Sequence, residues 1–543
     1  MMENRVEIDQ SGTREAIFSS KNTRPGIAST WMQVYQFSMN WPGWRPVVHR
    51  SLILNFMTPN IIIIISDQHN PHVMGCAENP IVQTPNLDTL ARRGTRFRNA
   101  YCPYPLCAPS RSGFMSAQYP SDVGVYDNSG GLSFDTPTFA HAFGAAGYEA
   151  VLCGRMHFRN PDQFHGFEKR IHADCGGLSA EILGAGYNRT TGQTKYGVQV
   201  SGHGETGYRY FDKSVTETAC KFIADRQNSD RPYALVVGYI NPHNPLICGK
   251  EDFEYYMAQI PPLESESPEY LNALHPAMKK WRERRGVDDI TPEQNRRGLA
   301  AYYGLTTELD RYIGQIIETI QSSSNADNTV IIYTSDHGDM AHEHGMWWKS
   351  SFYEGSVGIP LICSGPGHLH ENRTEDAIVS LIDVGPTALD IAGADPMPDV
   401  SGKSFAPFLK GSPPPDWPNE VFAEYIGLLG DQPACMIRTG PWKLNYYSEH
   451  DSCQLFNIDQ DPEERRDLSN DPRYRDVIKS GLEKIFARWS ADDILKQSER
   501  QARARALIAS CGHSHIPHAI PPFSPDIDEV NAFDFSQLPE DPR

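Results

Sequence analysis

The chain has 543 residues, 39% of them hydrophobic and 22% charged, which supplies material for a sizeable core and excludes wholesale disorder; this length suits roughly two or three domains, or one large domain with a satellite. Lys and Arg number 49 against 68 Asp and Glu, a net charge of −19, and such a surface repels nucleic acid and anionic membrane, so neither is expected as a partner. An anionic substrate must then meet positive charge confined to a site.

The longest purely apolar run is Ile61 to Ile65, far short of the roughly 20 residues of a spanning helix, and no signal-peptide h-region precedes Pro46. The 11 cysteines show no CxxC pairing and read as reduced thiols in a cytoplasm. The Asn-x-Thr sequons at Asn188 and Asn372 are read as chance. Residues 1–56 lack periodicity and are read as an N-terminal extension ahead of a functional start at Met57. The β-branched run Ile61 to Ile65, ended by polar residues, predicts a central strand buried on both faces. A helix follows, with Thr84 as its cap, Pro85 in its first turn, Leu87, Leu90 and Ala91 on one face and Gly94 at its end. Further strands are predicted over Ala150–Cys153, Ala234–Ile240, Thr329–Thr334 and Pro360–Cys363, with helices over Val215–Arg226 and Arg297–Ser322. This alternation predicts an α/β domain over residues 57–410 with a largely parallel central sheet, whose ligands sit beyond the carboxyl ends of the strands. Gly411-Ser412-Pro413-Pro414-Pro415 is read as a linker into a smaller C-terminal domain, residues 411–543. There, alternation over Val421–Tyr425, Ala434–Arg438, Trp442–Tyr447 and Gln454–Ile458 predicts an antiparallel sheet, followed by a polar helix over Arg473–Arg488. The Pro- and His-rich tail from His513 is expected to wrap over a surface or a neighbouring copy, which points to a homo-oligomer.

Two acidic clusters follow predicted strands: Ser66-Asp67-Gln68-His69 and Ser335-Asp336-His337-Gly338-Asp339. Read singly, each suits a cap on the turn that follows. Read together at one end of one sheet, Asp67, Gln68, Asp336 and His337 suit a hard divalent cation. Cys107-Ala108-Pro109-Ser110-Arg111 lies between the clusters, ahead of a helix whose N-terminus favours an anion.

In these residues the chain resembles the type I sulfatases of the alkaline-phosphatase-like superfamily, whose Cys-x-Pro-x-Arg motif carries a cysteine oxidised to formylglycine. Cys107 matches the modified position and Arg111 the arginine that holds it. Asp67, Asp336 and His337 match metal ligands, Gln68 stands where many members have a second Asp, and Cys107 itself joins the set. Gly154-Arg155-Met156-His157 resembles the Gly-Lys-x-His element, with Arg155 in place of Lys. His243 in Pro242-His243-Asn244-Pro245 matches a second histidine, and Lys349 a sulfate-binding lysine. Gln454-Leu455-Phe456-Asn457-Ile458 with Asp461-Pro462-Glu463 resembles the C-terminal element, so the likeness runs over roughly residues 58 to 470.

The resemblance implies an alkaline-phosphatase-like sandwich that hydrolyses a sulfuric ester. It implies one divalent cation, Ca2+ ahead of Mn2+ or Mg2+, and a formylglycine-generating maturation enzyme as partner. One hydroxyl of the aldehyde hydrate attacks sulfur, and the other later expels sulfate. Arg111, Arg155 and Lys349 neutralise the transferring group. By the same resemblance His243 protonates the leaving alkoxide and His157 helps abstract the diol proton. The closest texture is the choline-sulfatase-like group, which places Asp127 and Asn128 near the leaving group. A trimethylammonium group favours aromatic faces, yet no Trp lies between His157 and His243. A sugar or other small sulfate would stack on Trp347 or Trp348. Two rival readings are a phosphonate monoester or phosphodiester hydrolase of the same superfamily, and a non-catalytic binding protein that kept the fold.

Overall fold

The computed structural model describes residues 6–8, 14–16, 58–175, 192–226, 229–426 and 432–510. Apart from an antiparallel pair, Val6–Ile8 with Arg14–Ala16, the N-terminal extension lies outside the described residues, as do the Asn188 sequon and the tail from His513. From Thr58 onward the described residues form one compact unit.

Its centre is a sheet of eight strands: β1 (Asn60–Asp67), β2 (Gly94–Tyr101), β3 (Glu149–Gly154), β4 (Lys169–His172), β5 (Tyr233–Pro242), β6 (Thr329–Ser335), β7 (Leu361–Ser364) and β8 (Arg373–Ser380), in the order β8-β2-β7-β6-β1-β5-β3-β4. Only β7 runs antiparallel to its neighbours; the remaining pairs are parallel. The isoleucine run sits in the middle, as expected of a strand buried on both faces. Ile61, Ile63 and Ile65 belong to one core, while Ile62 and Ile64 belong to the core on the opposite face. Each such burial contributes about 1.5–3 kcal/mol. Parallel pairing aligns Thr334 with Ile65 and Ser335 with Ser66, so Asp67 and Asp336 emerge side by side at the carboxyl end.

Helices α1 (Pro85–Arg92), α2 (Cys107–Ser116), α3 (Gly207–Asp225), α4 (Pro276–Arg285) and α5 (Pro292–Gln321) accompany the sheet. Phe211, Val215 and Ala219 of α3 pack with Leu309, Ile313 and Ile316 of α5 over the second core. The helix expected from Arg297 starts at Pro292, where Thr291 and Gln294 form a capping box. Thr84 is the N-cap residue of α1, but its hydroxyl accepts no N–H of the helix. That oxygen instead accepts the Gly75 N–H at 2.8 Å and donates to Asp88 Oδ1 at 3.1 Å. Gly94, expected to end α1, opens β2. A Cβ there would meet the Cys363 carbonyl oxygen at 2.1 Å, so close pairing with β7 demands glycine. Strands β2, β4 and β8 escape the sequence reading because charged residues interrupt their apolar alternation.

The C-terminal sheet is an antiparallel meander of β9 (Glu420–Tyr425), β10 (Ala434–Thr439), β11 (Trp442–Tyr447) and β12 (Ser452–Asn457). Ala423, Met436, Tyr447 and Phe456 on one face join the main core. Phe422, Ile437, Leu444 and Leu455 on the other pack against Ile485 of α6 (Arg475–Phe486), Trp489, and Ile494 of α7 (Ala491–Ser510). Among the described residues no helix is long and apolar enough to cross a membrane.

Candidate active site

The carboxyl ends of β1, β3, β5 and β6 converge with the start of α2. Beyond Asp67 the backbone turns left-handed at Gln68 (φ 70°), and the Gln68 N–H donates to Asp336 Oδ1 at 3.1 Å. Arg111, buried within α2, ties this corner together. Its Nε donates to Asp336 Oδ2 at 2.8 Å, and its Nη2 to the Ser66 carbonyl at 3.2 Å and Asp67 Oδ2 at 3.4 Å. Its Nη1 donates to the Arg155 carbonyl at 3.0 Å. Arg155 leaves β3 just after Gly154 (φ 87°), and its backbone passes so close to Gly238 that a Cβ there would meet the Arg155 oxygen at 1.7 Å. Its Nε donates to Asp67 Oδ2 at 2.6 Å. Both guanidinium groups therefore fix carboxylates. Burial and Cys107 oppose ionisation of Asp67, yet Arg155, His243 and Lys349 hold its carboxyl well below the usual range. Burial, and then the neighbouring Asp67 charge, push Asp336 up against the pull of Arg111.

Cys107 is the first residue of α2 and is buried. Its Sγ lies 3.1 Å from Lys349 Nζ, 3.3 Å from His337 Nε2 and 3.5 Å from Asp67 Oδ1. Burial resists ionisation of the thiol, but Lys349, His337 and hydrogen bonds from His157 and His243 drive its pKa well below the ordinary value. Ligand atoms of Asp67, Cys107, Asp336 and His337 all lie within 4.8 Å of one another. Gln68 adds an amide: Oε1 is buried without a hydrogen-bond partner, while Nε2 donates to Asp339 Oδ2 at 2.5 Å and Asn244 Oδ1 at 3.4 Å. An orphaned carbonyl oxygen beside two buried carboxylates and one imidazole fits a divalent cation.

The two expected histidines flank the thiol. His157 adopts φ 62°, held by its N–H donating to Asp174 Oδ2 at 2.6 Å, and its Nδ1 lies 3.2 Å from Arg155 Nη2. Burial, aided by Arg155, lowers its pKa to about 4, so the ring is neutral near pH 7. His243 follows β5, with its Nδ1 hydrogen-bonded to the Asn244 carbonyl at 2.6 Å. Buried Asp212 steadies that turn by accepting the Ile240 and Asn241 N–H groups at 2.9 and 2.8 Å. Asn128 reaches the site, its Oδ1 accepting the Ala108 N–H at 3.0 Å. Asp127 instead caps a turn through the Ser129 and Gly130 N–H groups and pairs with Arg505 at 2.8 Å. Trp347 and Trp348 are 0% and 1% exposed. They pack in the core, where Trp347 Nε1 donates to Asn295 Oδ1 at 2.7 Å, and neither offers an open face for stacking.

Asp174, Asp339 and Asn244 complete this network and escaped the sequence reading. Asp339 and Asn244 stand inside the quoted motifs. Asp174 follows β4, the edge strand that its charged residues concealed.

The sulfatase family model matches residues 59–394, and an N-sulphoglucosamine sulphohydrolase C-terminal model matches residues 342–490. A choline-sulfatase of Rhizobium meliloti (strain 1021) is 34% identical over 76% of this chain and 83% of its own length. An arylsulfatase K of Gallus gallus is 28% identical over 81% and 83%. Among solved structures, a phosphonate monoester hydrolase of Agrobacterium radiobacter superposes with a TM-score of 0.67 at 23% identity, covering 79% of this chain and 95% of that one. BT4656, in complex with its substrate D-glucosamine-2-N,6-O-disulfate, gives 0.64 at 21% identity, covering 82% and 98%. At these identities the structural likenesses speak for the fold alone.

Proposed function

The chain belongs to the sulfatase family, hydrolases acting on sulfuric ester bonds, and from that premise we propose that it cleaves the sulfate ester of a small organic alcohol or carbohydrate through a formylglycine formed from Cys107 by a maturation enzyme. The observation that carries this reading is the setting of Cys107 Sγ, 3.1 Å from Lys349 Nζ and in one 4.8 Å cluster with Asp67, Asp336 and His337. Asp67, Gln68, Asp336 and His337 would hold one divalent cation, Ca2+ ahead of Mn2+ or Mg2+, because carboxylate and amide oxygens dominate the set. When bound, that cation supplies Lewis acidity, lowering a hydroxyl pKa and neutralising ester oxygens. A formylglycine formed from Cys107 would, as its hydrate, provide the attacking hydroxyl.

The chain's own residues divide the remaining work. Lys349 meets the negative charge of the transferring group in a nearly water-free setting, where such a contact is strong. Arg111 and Arg155 act through Asp67 and Asp336, fixing the carboxylates so that they need not reorganise during reaction. His157, neutral near pH 7, accepts the nucleophile's proton at its imidazole, and His243, oriented by the Asn244 carbonyl, protonates the departing alkoxide. The free cysteines, ten among the described residues, support a cytoplasmic location.

Turnover tests this function. Protein produced with a formylglycine-generating enzyme should hydrolyse members of a panel of hexose sulfates and choline sulfate. A preference of tenfold or more for a phosphonate monoester, on the order of 1.4 kcal/mol in the barrier, would favour the rival hydrolase activity instead.

A further inference from the structure

Arg159 stands two residues beyond His157, on the exposed rim of the site. Its Nε donates to the Asn128 carbonyl at 2.7 Å, and Asn128 Oδ1 in turn accepts the N–H of Ala108, the residue after Cys107, at 3.0 Å. Two hydrogen bonds thus connect the rim guanidinium to the start of α2. Its two Nη groups make no hydrogen bond and no ion pair among the described residues, and this sets Arg159 apart from the other cations of the region. Arg111 and Arg155 are bound to Asp67 and Asp336. Arg505 is paired with Asp127. Arg170 Nη2 lies 3.7 Å from Asp174, which also receives the Met156 and His157 N–H groups. Partial desolvation and the like charge of Arg155 act against the charge on Arg159, opposed by Asp174, and no carboxylate among the described residues forms an ion pair with it.

Resting on the sulfatase reading above, we propose that Arg159 is a second anion subsite: the alcohol part of the substrate carries its own oxyanion, a carboxylate or a further sulfate, and the free Nη edge of Arg159 binds it. A planar guanidinium with both Nη groups available suits two-point recognition of either group. The same charge disfavours a trimethylammonium leaving group, so specificity should diverge from that of the choline-sulfatase relative.

Binding to the Cys107→Ala protein, which cannot turn substrate over, isolates the subsite from the chemistry. Calorimetry with a sulfated hexuronic acid, a hexose disulfate, a hexose monosulfate and choline sulfate should show the first or second bound at least about tenfold more tightly than the monosulfate, the size of one charge-assisted hydrogen bond, with choline sulfate weakest. The uronic acid and disulfate arms distinguish carboxylate from sulfate. Adding Arg159→Ala should collapse the preference to less than about threefold. Arg159→Gln, which keeps an amide donor toward Asn128, serves if the alanine protein melts early. Equal affinities in the parent, or a preference that survives both substitutions, overturns the proposal. Hydrolysis of 4-nitrophenyl sulfate by matured wild type reads the mechanism separately. Its absence beside an intact binding preference overturns the sulfatase mechanism and sustains the subsite.

Discussion

Replacing Lys349 with Met removes a buried ammonium while keeping an apolar stem of similar length. The Nζ lies 3.1 Å from Cys107 Sγ and 3.9 Å from Asp67 Oδ1, and the residue is 3% exposed. At an effective dielectric of about 20, a unit charge at such separations is worth about 4–5 kcal/mol. Part of that acts equally on ground and transition states and does not alter the rate. Loss of one preorganised group facing developing charge typically costs about 2.7–4 kcal/mol, so kcat should fall by about 10²–10³-fold. Lys349 is not among the proposed metal ligands, so Lys349→Met should retain its cation and its mature residue 107. The assay is steady-state hydrolysis of a sulfate ester, with metal analysis and intact mass on the same preparation. A kcat within about threefold of wild type, or a loss fully explained by missing metal, would refute the role given to this side chain.

Cys107→Ala should abolish turnover while leaving the melting transition nearly in place, because a small buried side chain at a helix start is replaced by another; circular dichroism and the ester assay read both. Asp336→Asn should lower cation content after dialysis, since the substitution removes a buried charge from the ligand set, and unchanged metal analysis would remove Asp336 from it. Glu424 probes stability instead. It is 2% exposed, with Oε1 accepting the Ser121 N–H at 2.7 Å and Oε2 without a partner, and burial pushes its carboxyl up to about 7 from 4.5. The folded protein keeps a proton that the unfolded chain releases, so this contribution is full below about pH 4.5 and is lost as pH rises through about 7. Relative to wild type, Glu424→Gln should gain about 2–3 kcal/mol between pH 5 and pH 8, read by urea denaturation at both; a gap independent of pH contradicts the sign.

The sequence made the fold legible where periodicity was strong. Ile61 to Ile65 announces a strand covered on both faces, and the C-terminal alternation announces a meander, because burial leaves a pattern of period 2 when charges do not interrupt it. The sheet's outer strands break that pattern: Arg96 and Arg98 interrupt β2, and the first half of β8 reads Arg-Thr-Glu-Asp. Gly94 illustrates a different limit. A glycine after a helix reads as a terminator, whereas its constraint here is the Cys363 carbonyl of a strand over 260 residues away in sequence. At the site, motif residues of unmistakable chemistry, Cys107, Asp67 and Asp336, could be named in advance. Residues that act by holding them, such as Asp174 and Asp212, could not, because an acid that accepts backbone N–H groups looks like any other Asp in a sequence. The tryptophans show the converse. Trp347 and Trp348 beside Lys349 suggest a stacking platform, and only packing reveals that both are core residues.

The proposed chemistry requires residue 107 to act as an aldehyde hydrate. Peptide mass spectrometry of protein made with and without a formylglycine-generating enzyme, paired with ester hydrolysis on the same two samples, tests it directly. The Cys107 peptide should become about 18 Da lighter only with the enzyme present, and turnover should rise in proportion to the converted fraction. Equal turnover from a sample in which residue 107 remains a thiol would contradict it.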